Sequence, residues 1–358
     1  MRTLLVFPPL SGINAGFHIP RLLQEISSQR THDVRFASAK QLEALSREDG
    51  PQPSIDLMVN WLDTLYFHFI PRKLAGLLSI APPSLRRRLS HRVAAKIIEL
   101  VERIQRRGIR VVFYYHDLHT FSRIPLIKDL DREYRNHIHR TCYAVLFAEE
   151  SARACVQQIN PSQRPSFICH MGSFVNHHGE LLDYEQARHS LGIKPDQTVV
   201  FALGTIRSNR SIENLVKAAG HLKDVFVLAA GRGNANLSGP SVRTIGGYVS
   251  NEDIRKFLSC ADYVINTGSN YLTSAAERVA ISYGIPVIAH DFGSTIDMCR
   301  GAFVPLKEGI CFETLLATLP RRSSEQYQML SSAALKRDAE RTWELAATQF
   351  LAALNEYS

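Results

Sequence analysis

Short apolar runs recur along most of this chain. Each empties into a Gly-, Ser- or Asp-bearing loop, and a segment with apolar residues at helical spacing follows. "RTLLVF" runs through "PPLSGINAG" into a helical pattern and then into a second strand pattern, "HDVRFAS". "IDLMVNWL" reads as a buried strand. "RVAAKIIELVERIQRRG" reads as a helix that stops on Gly108, and "IRVVFYYHDLH" as a strand that ends in a polar loop. "YAVLFAEESARACVQQI" repeats the strand–helix pair, and "SFICHM" adds a strand. Such alternation predicts a parallel sheet with helices on both faces.

The rhythm breaks at "GSFVNHHGELLDYEQARHSLGIKPDQ", a polar stretch that reads as an interdomain connection. It then resumes with "TVVFALG", "SIENLVKAAGHL", "DVFVLAAG", "VRTIGGYV", "SNEDIRKFLSCA", "DYVINTG", an Ala-rich helix and "IPVIAHD", and closes with helices. A length of 358 residues suits two cores better than one. The expected organisation is α/β: two doubly wound Rossmann-like domains, 1–175 and 190–337. The C-terminal helix, about 338–358, is expected to pack back on the first. Sheets of this kind bind ligands at the carboxyl ends of their strands, here a cleft between the two domains. "MRTLLVFPPLSG" has too short an apolar run for a signal peptide, and no run reaches transmembrane length. Six scattered cysteines without a CxxC pair read as reduced core residues of a cytosolic protein.

Two helix starts stand out. "YLTSAAE" places Thr273 and Ser274 where their hydroxyls can cap a helix or reach a phosphate, and Ala275 and Ala276 leave room for a ligand near the backbone. On this stretch alone an ordinary cap is the better reading, with Glu277 completing a capping box. "VVFALGTIRSNRSIENLVKA" shifts the weight. Gly204 ends a strand, and Arg207 and Arg210 precede a helix. Guanidinium groups grip phosphate with paired donors, so the loop reads as a diphosphate clamp.

The stretches "GTIRSNRSIENLVKA", "VLAAG", "GYVSNEDIRKFLSCADYVINT" and "LTSAAERVAISYGIPVIAHDFG" resemble the second domain of GT-B glycosyltransferases, which use nucleotide-sugar donors. Gly204 to Ser211 resembles the family's G-x-(I/L)-R-x-x-K-G loop, with Arg210 in place of lysine, and Gly284 to Ala289 resembles its G-x-P-V-I-A tail. Retaining members carry two glutamates where this chain has Tyr271 and Val279. The pattern is more similar to the bacterial inverting β-mannosyltransferase of xanthan assembly, whose "NSG" corresponds to Thr273–Ala275. The resemblance implies a donor set of Gly12, Gly204, Arg207, Arg210, Tyr248, Val249, Asn270, Thr273, Ser274 and Ala275. It implies no cofactor. The donor is a nucleotide sugar, with GDP-mannose favoured and a UDP-sugar open.

Inversion is a one-step displacement that needs a base for the acceptor hydroxyl and stabilisation of the leaving diphosphate. "YYHDLH" ends a first-domain strand with Asp117, His116 and His119 together. Asp117 is the first choice of base and His116 the second, and Asp63 is a third candidate. A loop aspartate that merely caps the next helix fits Asp117 equally well. "KDLDRE" contains a D-x-D, Asp129 and Asp131, in a charged helical stretch; it reads as a solvated face, and the scheme requires no metal.

Residues 71–110 hold eleven Lys/Arg and two Asp/Glu, a local +9 in a chain of net +8, so the basicity belongs to one segment. There Phe67, Phe69, Arg72, Lys73, Arg86, Arg87 and Arg88 mix aromatic with basic side chains. Such a segment can lie in the headgroup layer of an anionic membrane, at the inner face of the plasma membrane, or pack on its own domain with a wet basic face. The first reading brings a polyprenyl-diphosphate-linked glycan acceptor within reach. A rival of another class is a non-catalytic binder of anionic lipid or nucleic acid, although no nucleic-acid module is visible.

Overall fold

Strands buried on both faces of a parallel sheet need continuous apolar sequence, and "VFVLAAG" is the plainest case: all seven residues are buried. The computed structural model describes residues 2–7, 18–29, 32–47, 50–52, 54–59, 66, 68–119, 124–204, 212–231, 239, 241–247, 249–269 and 271–356. The chain forms two units: Met1–His170 with Trp343–Ser358, and Met171–Thr342.

The first unit contains β1 (Arg2–Phe7), α1 (His18–Ser28), β2 (His32–Phe36), α2 (Ala39–Arg47), β3 (Ile55–Val59), α3 (Arg72–Leu78), α4 (Pro83–Arg106) and β4 (Arg110–Tyr114). α5 (Pro125–Thr141), β5 (Ala144–Phe147), α6 (Glu150–Ile159) and β6 (Ser166–Ile168) follow. Its six strands are parallel, in the order β2-β1-β3-β4-β5-β6. At the amino-terminal edge of this sheet Asp56 is fully buried. Arg110 (2.6 Å) and Arg2 (2.8 Å) donate to its carboxylate, and His32 lies 3.3 Å away. Burial alone would push this carboxyl's pKa up, but the hydrogen bonds from His32, Arg110 and Arg2 hold it well below the usual range. These buried ion pairs tie the starts of β1, β2, β3 and β4 together.

The second unit contains α7 (Val175–His178), α8 (Tyr184–Ser190), β7 (Thr198–Leu203), α9 (Ile212–Gly220), β8 (Val225–Gly231), β9 (Val242–Gly246), α10 (Asn251–Cys260), β10 (Tyr263–Asn266) and α11 (Ala275–Ser282). β11 (Val287–Ala289), α12 (Thr295–Met298), β12 (Phe303–Pro305), α13 (Phe312–Ala317) and α14 (Glu325–Ala339) complete it. Its strands are also all parallel, in the order β12-β11-β10-β7-β8-β9, so the topology switches between β7 and β10. α9 and α13 cover one face, where Val200, Ala202, Ile265 and Ile288 are buried with Leu215 and Leu316. α10 and α11 lie on the other, where Phe257 packs edge-on against Phe201 (5.7 Å) and Glu277 meets Asn266.

The polar stretch that reads as a connector is built into this second unit. Arg188, 1 % exposed, donates to the carbonyls of Lys194 (2.9 Å) and Gln197 and pairs with Asp262 (3.3 Å). Its polar residues are internal ties, and they stay out of water because they partner one another. Helix ends fall where the residues demand. Gly108 (φ 77°) follows α4 and Gly284 (φ 67°) follows α11, a backbone state that costs glycine least. The closing helical stretch is broken into two pieces. The last, α15 (Trp343–Asn355), belongs to the first unit, where Gln349 Oε1 accepts from the His170 amide (3.0 Å).

Candidate functional site

At the carboxyl edge of the second sheet, Gly204 follows β7 and Gly231 ends β8. Gly204 (φ 111°) donates its amide to Ala230 O (2.9 Å). A Cβ on Gly231 (φ 148°) would lie 1.5 Å from the Gly204 carbonyl oxygen, so two bare backbones touch there. Next to this pair, at the end of β10, stands the start of α11. Ser274 is its N-cap and accepts from the Glu277 amide (3.4 Å). Thr273 Oγ1 is buried and has no hydrogen-bond partner, and the same holds for Ser294 Oγ beside it; Thr267 Oγ1, on the opposite face of β10, is a third such hydroxyl. Gly293 (φ 59°) lets the loop after β11 close on the loop before α11: the Ser294 amide donates to Leu272 O (2.8 Å). Hydroxyls gathered without partners at a helix start are suited to an anionic, oxygen-rich ligand.

Glu277 does not complete a capping box. Its buried carboxylate accepts from Asn266 Nδ2 and from Thr295 Oγ1 (2.7 Å), and Cys299 Sγ lies 3.9 Å away. It therefore ties the end of β10 to the starts of α11 and α12. Arg278, 0 % exposed, donates to Met171 O (2.8 Å), Arg341 O (3.1 Å) and Asp338 (2.7 Å). These two neighbours fix α11 from below and leave its first turn half-buried. Of the expected donor residues, Gly204, Thr273, Ser274 and Ala275 gather at this edge, and Val249 precedes the N-cap of α10. Gly12, Arg207, Arg210, Tyr248 and Asn270 lie outside the described residues, as does Asp63.

At the carboxyl edge of the first sheet, His116 is buried and stacks on Tyr114 (4.3 Å, 14°). Tyr114 donates to Cys169 O (2.5 Å), and burial pushes its hydroxyl well above the usual pKa. The backbone of Asp117 is held by Arg135, which donates to its carbonyl (2.7 Å) and pairs with buried Asp131 (2.7 Å). Tyr115 points the other way, stacked on Phe147, and exposed His119 borders the small recess beside it. His116 and His119 thus belong to opposite faces of the sheet and do not form one cluster.

Asp131 corrects the expectation of a solvated D-x-D face. It is 1 % exposed and accepts from Tyr66 OH (2.8 Å), while Asp129 pairs with Arg86 (2.8 Å). Both carboxylates brace helices. Among the described residues no group of three or more His, Cys, Asp or Glu is arranged to hold a metal.

One pair escaped the sequence reading. Glu149, after β5, is 2 % exposed, and His170, after β6, lies beside it. His170 Nδ1 is 2.9 Å from Ala148 O and 3.3 Å from Glu149 Oε2. A carbonyl oxygen can only accept, so Nδ1 donates to it and the ring orientation is fixed. The only sequence hint was position: both residues are the first charged or ionisable polar groups after a strand.

In the basic segment, Leu74, Leu77, Ile80 and Leu85 are 46, 66, 86 and 48 % exposed, four of the twelve exposed large apolar side chains of the described residues. Arg72, Lys73, Arg87 and Arg88 are exposed among them. Arg86 is turned toward Asp129 and Phe69 is half-buried, with its ring edge on His68 (5.2 Å). Phe67 lies outside the described residues. No described helix is long and apolar enough to cross a membrane.

No protein-family model and no curated protein matches the chain. Solved structures do match over its whole length. A sucrose-phosphate synthase from Thermosynechococcus elongatus is 14 % identical, with 100 % of this chain and 99 % of that one covered and a TM-score of 0.67. HepE from Anabaena, solved with UDP, is 14 % identical over 99 % of this chain and 100 % of its own, with a TM-score of 0.66. A glycosyltransferase from Rickettsia africae is 12 % identical over 99 % and 98 %, with a TM-score of 0.62. The fold is GT-B: two six-stranded, doubly wound parallel sheets.

Proposed function

We propose that the chain is a glycosyltransferase that moves a hexose from a nucleoside-diphospho-sugar to a glycan acceptor. One observation carries the reading. The start of α11, with Ser274 as its cap and the buried Thr273 hydroxyl without a partner, follows β10, and the touching Gly204 and Gly231 backbones end the neighbouring strands at the same carboxyl edge and switch point of a GT-B sheet. Backbone amides and small side chains there suit a diphosphate, and the sequence adds Arg207 and Arg210 from the loop after β7. HepE has been solved with UDP and with UDP-glucose, which supports a UDP-sugar donor alongside GDP-mannose.

The reaction we favour inverts configuration. The acceptor oxygen bonds to the anomeric carbon as the carbon–oxygen bond to the diphosphate breaks. A base removes the hydroxyl proton, and the departing charge is met by guanidinium and amide donors, so this scheme calls for no metal. Asp117 is the proposed base, on the loop that Arg135 fixes. His116 is the second candidate, and His170, oriented by Ala148 O and Glu149, is a third. Asp117→Asn is expected to abolish sugar transfer with donor affinity unchanged. Near-normal turnover in that variant, together with loss in His170→Gln, would move the role to His170.

The acceptor is proposed to be lipid-linked, on polyprenyl diphosphate, at the cytoplasmic face of an anionic membrane. The support is the α3–α4 segment, whose exposed Leu74, Leu77, Ile80 and Leu85 are interleaved with basic side chains. The mannosyl preference and the place in surface-glycan assembly follow from the resemblance to the xanthan-type enzyme.

A further inference from the structure

The second sheet has a cavity of about 500 Å³ on the face away from α11. The strand register explains its floor. Ile265, Ile288 and Val304 form one row across β10, β11 and β12 against α9 and α13. Two residues on, side chains return to the same face, and Thr267, His290 and Leu306 line the cavity. Thr267 is 5 % exposed and its hydroxyl is the partnerless one noted above. The cavity therefore continues the α9/α13 face past the end of the core, and the sheet separates it from the Ser274 cap.

The walls favour donors. Lys217 of α9 and Lys307 line the cavity, and neither is ion-paired among the described residues. Of the two lining glutamates, Glu313 is engaged by His221 (2.5 Å), which leaves Glu308. Phe312 and Leu306 supply apolar surface. Two ammonium groups without ion-pair partners among the described residues suit an anion. Hydroxyl, imidazole and carboxylate groups match sugar hydroxyls, and the volume lies within the range of about 300–1,000 Å³ usual for small-molecule sites.

We propose that this cavity is a second ligand site and takes a phosphorylated hexose, its phosphate between Lys217 and Lys307 and its ring over Thr267 and His290. The site is independent of the nucleotide reading, because it uses none of the residues at the α11 start.

Cys311 provides the readout. It lines the cavity and is the exposed cysteine; the other five are buried or, for Cys155, half-buried. The backbone N–H groups of Thr314 and Glu313 pull its thiol below the usual pKa, whereas burial pushes the Cys155 thiol up. The test is the rate of Cys311 alkylation by iodoacetamide, followed by peptide mass. Additions are glucose 6-phosphate, glucose 1-phosphate, mannose 1-phosphate, glucose, inorganic phosphate or UDP. At least one hexose phosphate is expected to slow labelling saturably, about tenfold at roughly ten times its Kd, with far less effect from glucose or phosphate alone. Lys217→Gln with Lys307→Gln, both on exposed side chains, should lose that protection and keep the unprotected rate. Unchanged labelling with all three hexose phosphates would overturn the site. Equal protection by phosphate alone would overturn the sugar, and equal protection by UDP would assign the cavity to the nucleotide.

Discussion

Glu277 and Arg278 are neighbours on α11, both out of water, and each ties its helix to a different part of the second unit. From the sequence, Glu277 three residues after Ser274 spells a capping box. The serine half forms, whereas the glutamate carboxylate is taken by Asn266 and Thr295. Those partners lie 11 and 18 residues away in sequence, so local spacing could not reveal them. Asp131 makes the same point, as its burial depends on Tyr66, 65 residues upstream. His139 yields a pH prediction. Burial, aided by Arg140, lowers its pKa to about 4 from an ordinary value of about 6.5. A histidine kept neutral in the fold has no effect above the unfolded pKa. As pH falls from about 6.5 to about 4, the unfolded chain takes up a proton that the native one refuses, and stability declines. Melting temperature should fall across that window, and His139→Gln should flatten the slope; parallel profiles for the two proteins would contradict it.

Among the elements, strands and most helix ends were legible because their causes are local: apolar runs bounded by glycine, serine caps and positive-φ stops. The sealing of β7 against β8 was not, since the Gly204–Gly231 contact needs the register of two strands. Gly231→Ala should cost about 3 kcal/mol or more, because the new Cβ meets backbone that cannot retreat. Gly220→Ala, in open space within α9, should be neutral or stabilising. Urea midpoints decide it, and equal midpoints for Gly231→Ala and the parent would refute the close contact. The α3–α4 segment was legible as basic and apolar, but which side chains face out was not: Arg86 turned to Asp129 and left the exposure to Leu77 and Ile80. Leu77→Asp with Ile80→Asp should release the protein from phosphatidylglycerol vesicles, with melting temperature held within a few degrees. Continued co-sedimentation would remove the membrane reading.

For the whole molecule, the doubly wound class followed from alternation alone, and the sheets carry it in both units. The return of the last helix to the first unit was expected, but the place where the chain leaves that unit was harder to read. Polarity marked residues 172–197 as a linker, whereas buried Arg188 and its carbonyl partners make them part of the second unit. The donor residues of the loop after β7 rest on sequence, and the cap and glycine geometry beside them rests on structure; a nucleotide tests both at once. The most direct measurement is calorimetric titration of the full chain with UDP, GDP, UDP-glucose and GDP-mannose, repeated on Thr273→Val with Ser274→Ala and on Arg210→Ala. One nucleoside diphosphate should bind per chain, and each variant should weaken it about tenfold, the loss of one or two charge-assisted hydrogen bonds. Absence of binding by all four, or binding that the variants leave unchanged, would contradict the account.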